Sequence, residues 1–240
     1  MSPSSMANNS RPVNPDVPRF EVFVPPQAGP LPNNGRLGVL GGAYNPITRA
    51  HLLLARHSRE QFKLDEIIYV LPKILPNKPF VGASLEHRLE MMRLGISGIA
   101  YISLGVCSHG LFLDIYSGLQ QIYPQKPEIF FITGRDAAER ILTWPYDDPA
   151  AVLAKMFAGF QLLVFQRQGS LDLPENPLMQ KYANRIHNLE MRENLDYISS
   201  TEVRQRIRAG QSIEGLVPAE VAAYIMQHNL YKDQPSASSS

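Results

Sequence analysis

An α/β fold, built as a mostly parallel sheet with helices on both faces, is predicted by three features of this chain. Short apolar runs rich in Val, Ile, Leu and Phe recur through its middle. Longer segments with apolar residues at helical spacing separate those runs, and two of the runs end in glycine. Strands alternating with helices form βαβ units, whose sheets are mostly parallel and buried on both faces.

The elements follow in order. Residues 37–40 form a short strand that ends in glycines, and 51–62 a helix. The β-rich run EIIYVL at 66–71 is a strand, and 84–94 a helix with Ser84 and Glu86 at its start. Residues 100–104 form a strand, followed by a helix over 111–122 that Tyr123-Pro124 stops. Two apolar runs, 128–133 and 161–166, are strands, and 185–191 carries a further short one. Helices over 203–209 and 217–228 close the fold.

Residues 36–232 therefore read as one domain. The segment 1–35 contains eight prolines and reads as largely disordered, although RFEVFV at 19–24 alternates weakly and could add an edge strand or lie along the body. Residues 233–240 read as a disordered polar tail. Within 240 residues the net charge is +1, from 23 Lys plus Arg against 22 Asp plus Glu, which excludes a globally basic nucleic-acid binder but not a local basic pocket. A lone cysteine, Cys107, excludes a disulfide scaffold and fits a reducing compartment. No signal-peptide core and no run of ~20 apolar residues is present, so a cytoplasmic protein with no membrane partner is expected.

Open α/β sheets bind ligands at the carboxyl ends of their strands, which confines the search to the segments just after them. The first is LGVLGGAYNPITRAH, residues 37–51, joining a strand to a helix. Gly41 and Gly42 permit close backbone approach, and the helix start presents N–H groups to an anion. Thr48 and His51 share a helix face, so a hydroxyl and an imidazole could both point at phosphate oxygens. The competing reading is a tight turn whose histidine caps local backbone. The second segment is YISSTEVR, residues 197–204. Ser199, Ser200 and Thr201 can act as N-caps, and Thr201 with Arg204 could hold a phosphate.

Taken together, the two segments resemble the end motifs of the HxGH-type nucleotidyltransferase superfamily, and more narrowly the nicotinate and nicotinamide mononucleotide adenylyltransferases. Gly41-Gly42-Ala43-Tyr44-Asn45-Pro46 with His51 resembles the first motif, and Ile198-Ser199-Ser200-Thr201 with Arg204 the last. Leu75-Pro76-Asn77-Lys78 and the helix from Ser84 resemble the lysine loop and adjoining helix of the bacterial nicotinate enzymes. Gly134-Arg135-Asp136 resembles a glycine-x-aspartate turn, with Trp144 near the position of a tryptophan that helps enclose the pyridine nucleotide. Thr48 departs from the histidine common in bacterial members, and Arg135 from a small residue.

The resemblance implies a Rossmann-like sheet of nucleotidyltransferase type and a reaction with it. ATP and nicotinate mononucleotide would give deamido-NAD and pyrophosphate, with nicotinamide mononucleotide as a second acceptor. It implies His51, Thr48 and Arg204 as catalytic residues. Gly41, Gly42, Ala43, Tyr44, Lys78, Gly134, Asp136, Ser199, Ser200 and Thr201 would bind ATP, and Trp144 with Arg135 would line the acceptor pocket. Mg2+ would ride on the ATP phosphates through water, with no protein-held metal. A phosphate is already a nucleophile, so in-line placement and charge stabilisation suffice.

The remaining chemistry-bearing residues read as structural. Arg88 balances Glu86 and Glu90 on a helix surface, and Cys107 near His109 lacks a third orienting group. His57, His87, His187 and His228 show no metal-ligand spacing. No aromatic-basic interleaving suggests nucleic acid, and a homo-oligomer stays open. Nucleotidyl transfer to another phosphorylated acceptor such as phosphopantetheine, and a noncatalytic nucleotide-binding regulator, are the alternatives.

Overall fold

The computed structural model describes residues 17–73, 82–165, 180–190 and 197–232. Their strands are β1 (Phe20–Val24), β2 (Arg36–Gly41), β3 (Glu66–Pro72), β4 (Ile102–Cys107), β5 (Glu128–Gly134), β6 (Gln161–Phe165) and β7 (Ile186–Leu189). The helices are α1 (Arg49–Phe62), α2 (Leu85–Gly95), α3 (Phe112–Ile122), α4 (Arg135–Leu142), α5 (Pro149–Gly159), α6 (Ser200–Arg208) and α7 (Ala219–Gln227).

One sheet runs β1-β4-β3-β2-β5-β6-β7. All neighbours are parallel except β1, which lies antiparallel on β4. With β1 set aside, the order is that of a doubly wound sheet, and it reverses between β2 and β5. A crevice therefore opens above the carboxyl ends of those two strands.

The helices divide between two apolar layers. Every residue of β3 is buried, with Ile67, Tyr69 and Leu71 on one face and Ile68 and Val70 on the other. That two-sided burial is why the run is continuously apolar rather than alternating. Helices α1, α2, α6 and α7 cover the first face through Leu54, Met91, Met92, Val203, Ile207, Val221 and Ile225. Helices α3, α4 and α5 cover the second through Ile115, Leu119, Leu142, Leu153 and Phe157.

Local signals set several boundaries. Ser84 caps α2, its hydroxyl accepting the His87 N–H at 3.4 Å. Asp148 caps α5 by accepting from the Ala151 N–H at 2.9 Å, with Pro149 at the first helical position. Neither α4 nor α5 is among the helices expected from the sequence, although Asp148-Pro149 is itself a helix-start signal.

The expected boundary at 36 needs correction. Of the two readings of 19–24, the edge strand is the one observed, so part of the segment expected to be largely disordered belongs to the sheet. The physical reason is a slot for Phe20. A side chain on Gly105 would come within 2.4 Å of the Phe20 ring, and one on Gly118 within 2.8 Å of its Cβ. Farther along, the Ala28 N–H donates to the Ala100 carbonyl at 2.8 Å, and Leu31 is buried in the second layer. Residues 1–16 and 233–240 lie outside the described residues.

Candidate functional site

The loop from β2 to α1 sits at one wall of the crevice. The Gly42 N–H donates to the Val70 carbonyl at 3.1 Å, carrying the β2–β3 ladder one residue past the strand. Tyr44 then takes a left-handed φ of 44° and folds its ring back beneath the loop. Its hydroxyl donates to the Leu40 carbonyl at 2.6 Å, and the ring meets Tyr69 edge-on at 5.3 Å. A Cβ on residue 42 would stand 3.0 Å from that ring, so Gly42 gives the ring room to fold back without being displaced. Tyr44 is thus a floor for the loop, with its side chain in the core and only its backbone near the crevice. Gly41, Gly42 and Ala43 remain partly accessible above it.

At the loop's end, Thr48 and His51 form a capping box. The Thr48 backbone N–H donates to His51 Nδ1 at 3.0 Å, and the Thr48 hydroxyl lies 2.8 Å from the same nitrogen. A ring nitrogen that accepts a backbone N–H carries no proton in neutral imidazole, which places the proton on Nε2. Tyr69 donates its hydroxyl to the His51 carbonyl at 2.8 Å, and Tyr44 packs edge-on to the His51 ring at 5.1 Å. Thr48 itself is fully buried, so it orients the imidazole and does not face a ligand. The local-capping reading of His51 is therefore realised, on the ring edge opposite Nε2.

Helix α6 brings the second motif against this loop from 150 residues farther along. Ser199 caps it by accepting the Glu202 N–H at 3.1 Å. Ser200 donates its hydroxyl to the Pro46 carbonyl at 2.7 Å. Arg204 donates through Nη1 to the Asn45 carbonyl at 2.8 Å and through Nη2 to the Thr201 hydroxyl at 3.3 Å. The Ser199 and Ser200 hydroxyls are thereby committed to the protein. The N–H groups of Ser200 and Thr201 stand in the first helical turn, where backbone donors have no intrahelical acceptor. Thr201 is exposed. The two motifs named from sequence are thus in direct contact.

The roles of three residues, Arg88, Asn45 and Tyr231, were missed. Arg88, read as a surface charge, is 2% exposed and donates to the Ala43 carbonyl at 3.1 Å. Asn45 accepts at Oδ1 from the Ala83 N–H at 3.2 Å and from the Tyr231 hydroxyl at 2.8 Å. Its alternation with Glu86 and Glu90 hid Arg88, because helical spacing alone does not tell which side of α2 meets the loop. Lys78 lies outside the described residues.

The second wall follows β5. Continuing the β2–β5 register beyond Val39 opposite Phe131 puts Gly134 level with Gly42. Gly134 precedes α4 in extended conformation, and Asp136 is exposed in its first turn. Arg135 pairs with Glu139 on its own helix at 2.6 Å. Trp144 is 43% exposed, which sets it apart from the core aromatics. Cys107 is buried at the end of β4, where burial pushes its thiol pKa up and makes it a poor nucleophile.

Among the described residues, no three His, Cys, Asp or Glu side chains are grouped so as to hold a metal. No described helix is long and apolar enough to cross a membrane. A groove of about 890 Å³ lies between the start of α1, the α6–α7 connection and α7. Its charged groups, Arg49, Lys232, Glu214 and Glu220, balance in sign, so it lacks the cationic convergence that the motif contact provides.

Residues 39–206 match the model of the cytidylyltransferase-like family. A probable nicotinate-nucleotide adenylyltransferase of Thermoanaerobacter is 30% identical over 203 residues, covering 82% of this chain and 94% of the relative. Another, from Dehalococcoides mccartyi, is 33% identical over 208 residues, with coverages of 83% and 98%. The solved structure of Plasmodium falciparum nicotinic acid mononucleotide adenylyltransferase complexed with NaAD is similar with a TM-score of 0.60 at 20% identity, over 82% of this chain and 97% of that one.

Proposed function

This chain belongs to the cytidylyltransferase-like family, and from that premise we propose that it transfers the adenylyl group of ATP to nicotinate mononucleotide, forming deamido-NAD and pyrophosphate. Its curated relatives are named probable nicotinate-nucleotide adenylyltransferases, and they match it along most of their own length. The observation that carries the site assignment is the contact between the two motifs, through Arg204 to Asn45 and Ser200 to Pro46.

Each group then has a physical task. The acceptor's phosphate oxygen attacks the α-phosphorus of ATP, the bond to the bridging oxygen breaks, and pyrophosphate leaves. His51 donates its Nε2–H to the triphosphate as charge moves onto the bridging oxygen, in a ring fixed by Thr48. The N–H groups of Ser200 and Thr201, the Thr201 hydroxyl and the Arg204 guanidinium hold the β- and γ-phosphates. One of the five Arg204 donors already ties the loop to α6 and a second bonds Thr201 within the helix, so binding pyrophosphate would tighten a join that exists beforehand. Gly41, Gly42 and Ala43 offer backbone to the phosphates, as Gly134 does to the nucleoside. Asp136 accepts from ribose hydroxyls. Lys78 reaches a phosphate, and Trp144 with Arg135 walls the pyridine ring.

The donors around the crevice are cationic or N–H groups, which do not make a magnesium pocket. Mg2+ entering with ATP would be held by phosphates and water and would neutralise phosphate charge. Nicotinamide mononucleotide is a second acceptor, and the setting is cytoplasmic. The body runs over 36–232, extended by β1.

Pyrophosphate release with ATP or CTP, each paired with nicotinate mononucleotide, its amide and phosphopantetheine, tests this reading. Turnover is expected with ATP and nicotinate mononucleotide. Turnover confined to phosphopantetheine would overturn the acceptor, and nucleotide binding without any turnover would favour a regulatory protein.

A further inference from the structure

The segment after α7 makes a contact that nothing in the catalytic proposal uses. Following the helix, Asn229 and Tyr231 both take left-handed backbone conformations, with φ of 49° and 65°. For a bulky residue such as tyrosine this is an uncommon and costly geometry, retained when surrounding contacts over-determine it. The Leu230 N–H bonds back to the Ile225 carbonyl at 3.0 Å, which fixes the reversal. The result swings the Tyr231 ring away from the helix axis and into the space between α2 and the β2–α1 loop.

There its hydroxyl donates to Asn45 Oδ1 at 2.8 Å and lies 3.9 Å from Met91 Sδ. Asn45 is 7% exposed, and it serves as a junction. Its side-chain oxygen also accepts the Ala83 N–H, just before α2, and its main-chain oxygen accepts Arg204. Arg88, from α2, holds the carbonyl two residues earlier at Ala43. Three elements distant in sequence thus converge on the loop at Ala43 and Asn45. Burial holds the Tyr231 phenol protonated well above its ordinary range, partly offset by Arg204 and Arg88, so the group is a donor throughout the working pH range.

We propose that Tyr231 is a positioning residue for adenylyl transfer: its hydroxyl, delivered by the left-handed turn after α7, sets the orientation of Asn45 and so keeps the Asn45 carbonyl where Arg204 can bind it and the phosphates together. Without that hydroxyl Asn45 Oδ1 keeps the Ala83 N–H but loses its tie to the turn after α7, the loop carbonyl shifts, and Arg204 loses one of the two fixed points that aim its fork. The inference rests on the catalytic reading of Arg204, while the contact itself does not.

Tyr231→Phe tests it, because the ring and its packing stay and only the donor goes. Thermal melting should stay within about 2 °C of the parent, while KM for ATP rises about 5- to 20-fold and KM for nicotinate mononucleotide stays within 2-fold. Equal KM values for ATP in the parent and the variant would overturn the proposal, as would a matched rise for both substrates. Amide hydrogen exchange of residues 43–47 supplies a readout independent of turnover: Tyr231→Phe should exchange faster there, with α5 unchanged. Should the parent show no turnover with any acceptor, the catalytic reading fails, and the proposal is then judged on calorimetric affinity for ATP in the same pair. Unchanged affinity and unchanged exchange together would refute it.

Discussion

The two ends of the sheet use polar side chains in opposite ways. At the carboxyl end, Ser200, Arg204 and Arg88 donate to main-chain carbonyls of the β2–α1 loop, and each tie fixes a segment that has no ladder of its own. At the amino end, polar side chains mostly satisfy one another. Arg36 binds Glu128 at 3.1 Å, Gln161 donates to Glu128 at 2.5 Å, and His187 Nε2 donates to Gln161 Oε1 at 2.6 Å. Nearby, the buried Glu66 carboxylate accepts from the Ser103 hydroxyl and from Tyr123, the latter at 2.6 Å. The amino-end network crosses from strand to strand, its groups bonded to one another. At the carboxyl end Arg204 spends two of its five N–H donors on these contacts, and the remainder is what a phosphate can use.

Perturbing each end separates these roles. The largest effect is expected for His51→Ala, which should lower kcat about 100- to 1000-fold, the usual cost of losing one preorganised donor to developing charge. Its melting temperature should fall only about 2–4 °C, for the loss of a capping contact worth about 1 kcal/mol. A fall in stability large enough to explain the lost activity would collapse the distinction between the two ends. Next is Arg204→Lys, which keeps the charge but cannot hold two fixed points and a phosphate. A loss of about 10- to 100-fold in kcat/KM for ATP is expected from steady-state assays; near-parental kinetics would mean that charge alone suffices.

The smallest functional effect belongs to Glu66→Gln, where kcat and KM should not change. Stability should change in a pH-dependent way. Burial raises the Glu66 pKa, and the Ser103 and Tyr123 hydroxyls only partly offset it. Below the ordinary value of about 4.3, the carboxyl is protonated both folded and unfolded and contributes no penalty. As pH rises from there through the raised folded value, the unfolded chain loses its proton more readily and parental stability falls. The amide variant escapes that loss, so its melting temperature relative to the parent should climb as pH rises above the ordinary carboxyl value and level once the folded carboxyl has ionised. A difference independent of pH would show that the carboxyl is not perturbed in the fold.

Much of this was legible in the amino-acid sequence, for reasons that differ by region. The central strands read correctly because a strand buried on both faces is a continuous apolar run, as in EIIYVL of β3 and EIFFIT of β5. The two motifs could be picked out because a glycine turn before a helix and a serine-rich helix N-terminus are local signals. Strand β4 was placed about two residues early, since Ala100 and Tyr101 are as apolar as the residues that pair. What could not be read is convergence. Asn45, Arg88, Arg204 and Tyr231 are scattered over nearly 190 positions, and nothing in the spacing of an arginine on α2 or a tyrosine past α7 says that both turn toward one asparagine. Thr48 shows the same limit on a smaller scale. Its proximity to His51 was evident, but its complete burial, which makes it a support for the imidazole, depends on the tertiary core beneath it.

The Phe20 slot gives β1 the character of a tethered peptide ligand. The strand binds an edge already completed by β4, through antiparallel pairing and one aromatic ring set between Gly105 and Gly118. Residues 25–35 join it to β2, and a tether of that length maintains an effective concentration on the order of millimolar or more. Severing it would turn an intramolecular equilibrium into a bimolecular one, with occupancy of the edge then governed by how much free peptide is supplied. A body begun at residue 36 would carry an open sheet edge and an empty aromatic slot, and a peptide spanning residues 17–25 would be its natural titrant.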